Sequence, residues 1–269
     1  GDRAIEISRA FEEADFDVFD RVRYPKVTYA GMLQYDGDLG IPSRFLVSPP
    51  KISNTMGEFL AKEGVAQLAI SETQKYGHVT YFWNGNRSGK YSETNETYIE
   101  IPSDVVPFEQ RPWMQSALIA DRLMEELKSG QYQFARVNFP NGDMVGHTGN
   151  MQATIIGVEA VDLALGRILK VVDQLGGMAI ITADHGNADE MFETDKAGNP
   201  KKNKDGSYKA KTSHTLNKVP CILYDNHNNG RYSVVPGEYG LSNLASTIVN
   251  LLGYEKYEDW DAGIIQLNV

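Results

Sequence analysis

The chain has 269 residues, of which 41% are hydrophobic, and a formal net charge of −10. This length exceeds the usual range of one compact core, the composition is that of an ordinary folded protein, and the acidic balance argues against nucleic acid as a general partner. The sequence contains no run of about 18 apolar residues and no charged-then-apolar leader, so we expect neither a membrane span nor a signal peptide.

The first 50 residues predict a helix, a strand and a linker. The helix covers Asp2 to Glu13, and the segment Lys26 to Leu33 predicts a strand. Pro49 and Pro50 stiffen the segment Leu46 to Lys51, which is therefore the best linker candidate. We accordingly predict two domains, 1–48 and 49–269.

The second domain is predicted to open with a helix and two strands. The helix runs from about Thr55 to Glu63, with Asn54 or Thr55 as its N-cap and Gly64 at its end. Val65 to Ser71 predicts a strand, and the β-branched and aromatic segment Val79 to Trp83 predicts another.

An aspartate and a histidine stand side by side at the end of a later apolar run. The run Ile180 to Ala183 predicts a buried strand, and Asp184 and His185 follow it directly. Because open α/β sheets bind ligands at the carboxyl ends of their parallel strands, we expect this pair to lie where chemistry takes place.

Two further polar segments lie beside predicted strands. Asp143 and His147 occupy a loop after the strand-like run Phe134 to Phe139, and His214 stands just before the apolar segment Val219 to Tyr224. We expect three such loops, each following a strand, to converge on one site. The donors are nitrogen and oxygen without thiolate, a set that suits Mn²⁺, Zn²⁺, Mg²⁺ or Co²⁺.

The long helical patterns and the strands alternate along the chain. One helix is predicted from about Gln152 to Leu175, stopped by Gly176, and another from Asn243 to Leu252, with Gly253 as its C-cap signal. This alternation predicts an α/β fold with a mostly parallel sheet covered by helices on both faces.

Two features near the candidate ligands have simpler interpretations. The single cysteine, Cys221, lies within an apolar run, which predicts a buried, inert thiol and is compatible with a reducing, cytoplasmic location. The segment Lys196 to Lys211 is basic and rich in Gly, Asn and Pro, which predicts a solvated loop or hairpin. Its position next to His214 leaves open whether it covers the site or has no part in it.

The motifs together resemble the cofactor-independent (2,3-bisphosphoglycerate-independent) phosphoglycerate mutases of the alkaline phosphatase superfamily. The resemblance covers essentially the whole sequence and keeps the family's order of motifs. It rests on Asp2 to Ala4, Glu72 to Thr80, Asn141 to Gly149, Thr182 to Asp189 and Ser213 to Thr215.

This resemblance implies a two-metal enzyme with an alkaline-phosphatase-like sheet. Asp143, His147 and His214 would hold one divalent ion, and Asp184 and His185 would hold the other, with Mn²⁺ the foremost candidate metal. The implied reaction interconverts 3-phosphoglycerate and 2-phosphoglycerate through a phosphoserine, without 2,3-bisphosphoglycerate, in a full-length protein expected to be a monomer.

The resemblance also implies two substrate-binding cations and a missing portion. Lys75 would place a point charge on the phosphoryl oxygens, and Arg3 would grip a carboxylate or phosphate from the tail of an inserted domain, residues 1–48. The family's nucleophilic Ser and an accompanying Asp are not found in the sequence. We therefore expect a C-terminal portion of a longer protein that is inactive alone.

Two alternatives remain open at this point. A metal-dependent phosphatase or phosphopentomutase of the same superfamily would share the Asp-His and Asp-x-x-x-His arrangements, although not the segment Glu72 to Thr80. The chain alone could instead be a catalytically inactive polypeptide that binds metal.

Overall fold

The structure, a computed structural model, describes residues 2–35, 40–48, 50 and 52–268, without the side chains of Asp2 and Arg3. The helices are α1 (Asp2–Glu12), α2 (Met56–Lys62), α3 (Thr73–Val79), α4 (Ser116–Lys128), α5 (Asn141–Gly146), α6 (Met151–Gln174) and α7 (Asn243–Leu251), with a 3-10 turn at Phe108–Gln110. The strands are β1 (Gln67–Glu72), β2 (Glu96–Ile101), β3 (Phe134–Val137), β4 (Ala179–Thr182), β5 (Cys221–Tyr224), β6 (Tyr232–Val234) and β7 (Ile265–Leu267).

A parallel sheet in the order β2-β1-β3 forms the centre of the fold. The register pairs Gln67 of β1 with Glu96 and with Phe134 of the neighbouring strands. All six residues of β1 are buried, which is typical of a central parallel strand covered on both faces. Two antiparallel pairs, β4-β5 and β6-β7, accompany this sheet. The predicted α/β class is confirmed.

Helices cover the parallel sheet with two apolar clusters. In the first, Leu68 and Ile70 of β1 pack with residues of α4 and α6, namely Ile119, Ala120, Leu123, Ala164, Ile168 and Val172. In the second, Met56, Leu60, Val65 and Val249 pack together, with Phe134 of β3 against them. The alternation of strands and helices in the sequence therefore corresponds to layers in space.

The predicted helices are confirmed to within one or two residues at their ends. Thr55 is the N-cap of α2, since its side chain accepts a hydrogen bond from the Glu58 amide at 3.2 Å. Gly64, with φ of +72°, follows the C-cap of α2, and Gly253, with φ of +88°, does the same for α7. The left-handed backbone at these two stops favours glycine.

Two predicted strands are wrong. Lys26 to Leu33 has no strand, and its one ladder contact is an isolated bridge from Gly31 to Phe45. Val79 ends helix α3, and the chain then turns, with the Asn84 amide donating to the Thr80 carbonyl at 3.0 Å. In both segments the β-branched composition predicted extended backbone that tertiary context overrides.

The prediction of a buried Cys221 is also wrong, because the thiol is exposed. Cys221 opens β5, which pairs antiparallel with β4 through Thr182. Ile222 beside it is 51% exposed, so an apolar sequence run does not by itself establish burial on both faces.

The basic segment forms a small antiparallel hairpin assembly, which we call the lysine hairpin (residues 191–211). Isolated bridges join Phe192 to Ala210, Thr194 to Pro200 and Lys202 to Tyr208. Of the two structures predicted for Lys196 to Lys211, a solvated loop or a hairpin, the hairpin is confirmed.

The proposed domain boundary stays a prediction. Pro49 and Lys51 of the predicted linker lie outside the described residues. Residues 2–35 and 40–48 comprise α1 and irregular backbone held by bonds such as the one from Ser43 Oγ to Glu12 Oε1 at 2.7 Å. Within the described part of the chain, no helix combines the length and apolar character needed to cross a membrane.

Candidate metal centre

The predicted loop after β3 is instead the short helix α5, which brings Asp143 and His147 together. The helix starts four residues after β3, with Asp143 in its first turn and His147 as its C-cap. A spacing of four places both side chains on one face of a helix. His147 Nε2 consequently lies 3.0 Å from Asp143 Oδ1.

Asp184 and His185 lie in the loop after β4, as predicted, although β4 is only half-buried and pairs antiparallel with β5. His185 Nε2 lies 3.9 Å from Asp143 Oδ1 and 3.7 Å from Asp184 Oδ1. The Asp184 side chain is 51% exposed, whereas that of Asp143 is 13% exposed. Asp143 therefore lies at the centre of the cluster and Asp184 at its open side.

His214 completes the cluster from the segment that precedes β5. Its Nε2 is 3.0 Å from Asp143 Oδ1 and 3.1 Å from His147 Nε2, and its ring stacks on His185 with centroids 3.7 Å apart. The expectation that all three loops follow strands is wrong for this residue. Since β5 runs antiparallel to β4, the start of β5 lies beside the end of β4, and His214 reaches the same edge.

Lys75 enters the cluster from the first turn of α3, directly after β1. It is buried, and its Nζ lies 2.6 Å from Asp143 Oδ2. Burial by itself would raise the pKa of Asp143, but the Lys75 ammonium and the Asn187 amide outweigh it and hold the pKa at about 2. The carboxylate is therefore ionised throughout the neutral range, as a metal ligand must be.

Two neighbouring residues of α3 and β1 have pKa values moved mainly by burial. The pKa of His78 is lowered by burial and then by the charge of Lys75, so the imidazole is neutral at pH 7. The pKa of Glu72 is raised by burial, although the Gln115 amide and the Ser103 hydroxyl donate to its carboxylate at 2.9 and 2.8 Å. These contacts fix the start of the helix that carries Lys75.

Backbone and amide groups orient the ligand candidates. His147 Nδ1 is 2.7 Å from the Thr212 carbonyl, which accepts a hydrogen bond only if Nδ1 carries the proton. That tautomer leaves the Nε2 lone pair directed at the cluster. Asn187 Nδ2 donates to both Asp143 Oδ1 and the Asp143 carbonyl, at 2.7 and 3.1 Å. Asn187 lies inside the run from Thr182 to Asp189, but neither Asn187 nor Thr212 was predicted from the sequence to have a role.

A second set of contacts ties the His214 segment to the loop after β4. The Thr215 amide donates to the Gly186 carbonyl at 2.9 Å. Asp189 Oδ2 accepts from Thr215 Oγ1 at 3.0 Å and from Asn217 Nδ2 at 2.6 Å. Ligand candidates that are 29 residues apart, His185 and His214, thus share one rigid support.

The arrangement fits a divalent metal ion. Among the described residues, Asp143, His185 and His214 form a group whose ligand atoms lie within 4.8 Å of one another. This group takes members from both predicted ligand sets, which shows how closely the two sets adjoin. Imidazole nitrogen and carboxylate oxygen suit Mn²⁺, Zn²⁺ and Co²⁺. The structure brings all five predicted ligands and Lys75 together, while the Arg3 side chain lies outside the described residues.

A family model described as "Metalloenzyme superfamily" matches residues 1–256. The chain belongs to the metalloenzyme superfamily. This membership agrees with a cluster of imidazole and carboxylate groups at one edge of an α/β sheet, and it supports the use of a divalent metal.

Within this superfamily, the chain is similar to proteins named as phosphoglycerate mutases. The chain is 52% identical over 270 residues to a 2,3-bisphosphoglycerate-independent phosphoglycerate mutase of Trypanosoma brucei brucei, covering 99% of this chain and 49% of that protein. It is 47% identical over 274 residues to the enzyme of that name from Ricinus communis, covering 98% of this chain and 48% of that protein.

A solved structure to which the chain is similar is also that of a phosphoglycerate mutase. A crystal structure of Leishmania mexicana phosphoglycerate mutase at low cobalt concentration superposes with a TM-score of 0.93 at 52% identity, covering 100% of this chain and 49% of that one. The resemblance drawn from the motifs is confirmed. The chain spans about half the length of the relatives it matches.

Proposed function

We propose that this chain forms the metal-binding half of a 2,3-bisphosphoglycerate-independent phosphoglycerate mutase. The full protein would interconvert 3-phosphoglycerate and 2-phosphoglycerate in glycolysis and gluconeogenesis through a phosphoserine intermediate. The observation that carries this proposal is the convergence of three imidazoles and the Lys75 ammonium on the Asp143 carboxylate. The names of the relatives support the choice of reaction.

The ligand candidates divide into two sets. Asp143, His147 and His214 would hold one ion, and Asp184 and His185 would contribute to a second. Mn²⁺ is the foremost candidate because it accepts mixed nitrogen and oxygen ligands, and Mg²⁺, Co²⁺ and Zn²⁺ are the alternatives. When bound, the ions would neutralise charge on the transferring phosphoryl group and promote ionisation of the nucleophilic hydroxyl.

Lys75 and Arg3 would bind the substrate. In the structure Lys75 is paired with Asp143, so its ammonium already points into the cluster where a phosphoryl group would arrive. Arg3 would grip the substrate carboxylate or phosphate with its planar fork. The nucleophilic Ser and the remaining Asp ligand would come from another part of the full protein. That part corresponds to the portion of the relatives that this chain does not span.

We propose a cytoplasmic monomer, with its small phosphorylated substrate as its partner. The exposed single thiol of Cys221 supports a reducing compartment, because exposed cysteines are prone to oxidation elsewhere.

An enolase-coupled assay tests the reaction. The full protein that contains this chain is supplied with 3-phosphoglycerate and Mn²⁺ but no 2,3-bisphosphoglycerate, while free phosphate is measured in parallel. We expect 2-phosphoglycerate formation that EDTA abolishes and that a His214→Ala variant lacks. His227→Ala is the matched control, since His227 contacts the Asp173 carbonyl outside the cluster.

The same assay separates the alternatives. Release of free phosphate without isomerisation would assign the protein to the phosphatases of the superfamily. Activity that survives both EDTA and the His214→Ala change would refute the proposed metal centre.

A further inference from the structure

Asn187 makes the closest uncharged contact with the central carboxylate of the metal centre. It lies two residues after His185 and is only 4% exposed. Its amide nitrogen donates to Asp143 Oδ1 at 2.7 Å and to the Asp143 carbonyl at 3.1 Å. One side chain from the loop after β4 therefore holds both the backbone and the carboxylate of a residue on α5.

The two hydrogen bonds to Asp143 differ in character from the ion pair with Lys75. Lys75 binds Oδ2, the other carboxylate oxygen, and in the proposed function its ammonium also serves the phosphoryl group. Asn187 carries no charge and is anchored to the Asp143 carbonyl as well. It can therefore hold the carboxylate in one orientation without competing with a cation for its negative charge.

Gly146 allows Asn187 to take up this position. A Cβ at residue 146 would collide with Asn187 Oδ1 and would lie 2.9 Å from Asn187 Cγ. Gly146 does not have a positive φ, so the close approach of Asn187, rather than the backbone conformation, requires glycine there.

The oxygen end of the Asn187 amide indicates that the contact with Asp143 determines the orientation of the Asn187 side chain. Asn187 Oδ1 is buried, and no described residue is a hydrogen-bond partner for it. A buried polar atom without a partner costs free energy, so the side chain would turn away if another arrangement satisfied it better. The nitrogen faces two acceptors on Asp143, which outweighs that cost.

We propose that Asn187 is a positioning residue of the metal centre. Its amide fixes the Asp143 carboxylate relative to His185, two residues before Asn187 in the chain, and so keeps the two ligand sets in register. This inference rests on the proposed function, because it assumes that Asp143 and His185 bind metal. Residues that orient metal ligands typically change metal affinity by about 10- to 100-fold when they are replaced.

Direct measurement of Mn²⁺ binding to the full protein by calorimetry tests the inference without reference to turnover. We expect Asn187→Ala to weaken Mn²⁺ binding by about 10-fold or more. Asn226→Ala is the matched control, because Asn226 also donates to a carboxylate, that of Asp173 at 2.9 Å, but touches none of the ligand candidates. We expect its Mn²⁺ affinity to equal that of the wild type.

A double-mutant cycle with Gly146→Ala provides a second, independent variant. The added Cβ should displace the Asn187 amide and weaken Mn²⁺ binding in the wild-type background, but should have little further effect when residue 187 is already alanine. Additive losses would overturn the role assigned to this pair.

The remaining outcomes distinguish failure of the positioning role from failure of the metal centre. Unchanged Mn²⁺ affinity in Asn187→Ala, with metal still bound by the wild type, would overturn the positioning role alone. A wild-type protein that binds none of Mn²⁺, Mg²⁺, Co²⁺ and Zn²⁺ would overturn the proposed metal centre and the positioning role with it.

Discussion

Replacing Lys75 by methionine should destabilise the metal-free protein. The Lys75 ammonium lies 2.6 Å from Asp143 Oδ2, with side-chain exposures of 8% and 13%. Methionine keeps most of the buried apolar stem and removes only the charge. The change leaves the Asp143 carboxylate buried without its cationic partner, and removal of one member of a buried pair is strongly destabilising.

The pKa of Asp143 gives the size of the effect. Against burial, Lys75 and then Asn187 lower it from the usual 3.8 to about 2. This difference corresponds to about 2 kcal/mol of stability at neutral pH. Removing Lys75 also exposes the desolvation cost, so we expect a loss of about 2 to 4 kcal/mol in the free energy of unfolding.

The dependence on pH has a defined sign. Because the pKa of Asp143 is lowered in the folded state, the stabilisation is complete above pH 3.8 and is lost as the pH falls toward about 2. The difference between the wild type and Lys75→Met should therefore be largest near neutrality and should shrink in that acidic range.

Urea unfolding of the metal-free protein, followed by circular dichroism, measures the loss. Lys218→Met is the matched control, since Lys218 pairs with Glu238 at 3.1 Å but both side chains are about 90% exposed. An exposed pair contributes at most about 1 kcal/mol. A loss for Lys75→Met no larger than that of the control, at pH 7, would contradict a stabilising ion pair between Lys75 and the buried Asp143 carboxylate.

Three further predictions concern other parts of the molecule. Gly186→Ala should lower Mn²⁺ affinity in calorimetry, because its Cβ would collide with Thr215 Oγ1 and lie 2.7 Å from Asp189 Oδ1, whereas Gly142→Ala, whose Cβ meets only Ala188 at 3.9 Å, should not. Burial and then a hydrogen bond to Glu96 raise the pKa of Tyr98 to about 12. Urea unfolding should therefore show a stabilisation of about 2 to 3 kcal/mol that is intact below pH 10 and is lost as the pH rises to 12. The Tyr98→Phe variant should lack this stabilisation. Replacing Lys202 and Lys204 of the lysine hairpin by Gln should leave Mn²⁺ affinity and coupled-assay activity unchanged, because both are exposed, Lys202 in the bridge with Tyr208 and Lys204 in the turn beyond it. A loss would show that the hairpin takes part in catalysis.

Much of the site could be predicted from the sequence because its ligands stand at the ends of strands. Asp184 and His185 follow an apolar run directly, and Asp143 and His147 follow another, although the segment that carries them is helix α5 rather than the predicted loop. The roles of Asn187 and Thr212 could not be predicted in the same way. An asparagine and a backbone carbonyl become part of the site only through contacts over 44 and 65 residues of sequence.

The errors in the predicted fold have a related cause. The segments Lys26 to Leu33 and Val79 to Trp83 have the composition of strands, but strand formation depends on a partner for the backbone. Val79 instead ends helix α3, the helix that brings Lys75 to the site. Burial of Cys221 was inferred from an apolar run, yet β5 pairs with β4 and leaves that thiol open to solvent.

The charge of the whole chain is a poor guide to the ligand of its site. The net charge of −10 should repel an anionic substrate at long range. Within the cluster, however, the Lys75 ammonium already offsets the Asp143 carboxylate, and the three imidazoles add no negative charge. Bound dications would make this edge of the sheet locally positive, and the local field governs binding at short range. The acidic net charge is therefore compatible with the proposed phosphorylated substrate, whose binding would depend on the occupancy of the metal centre.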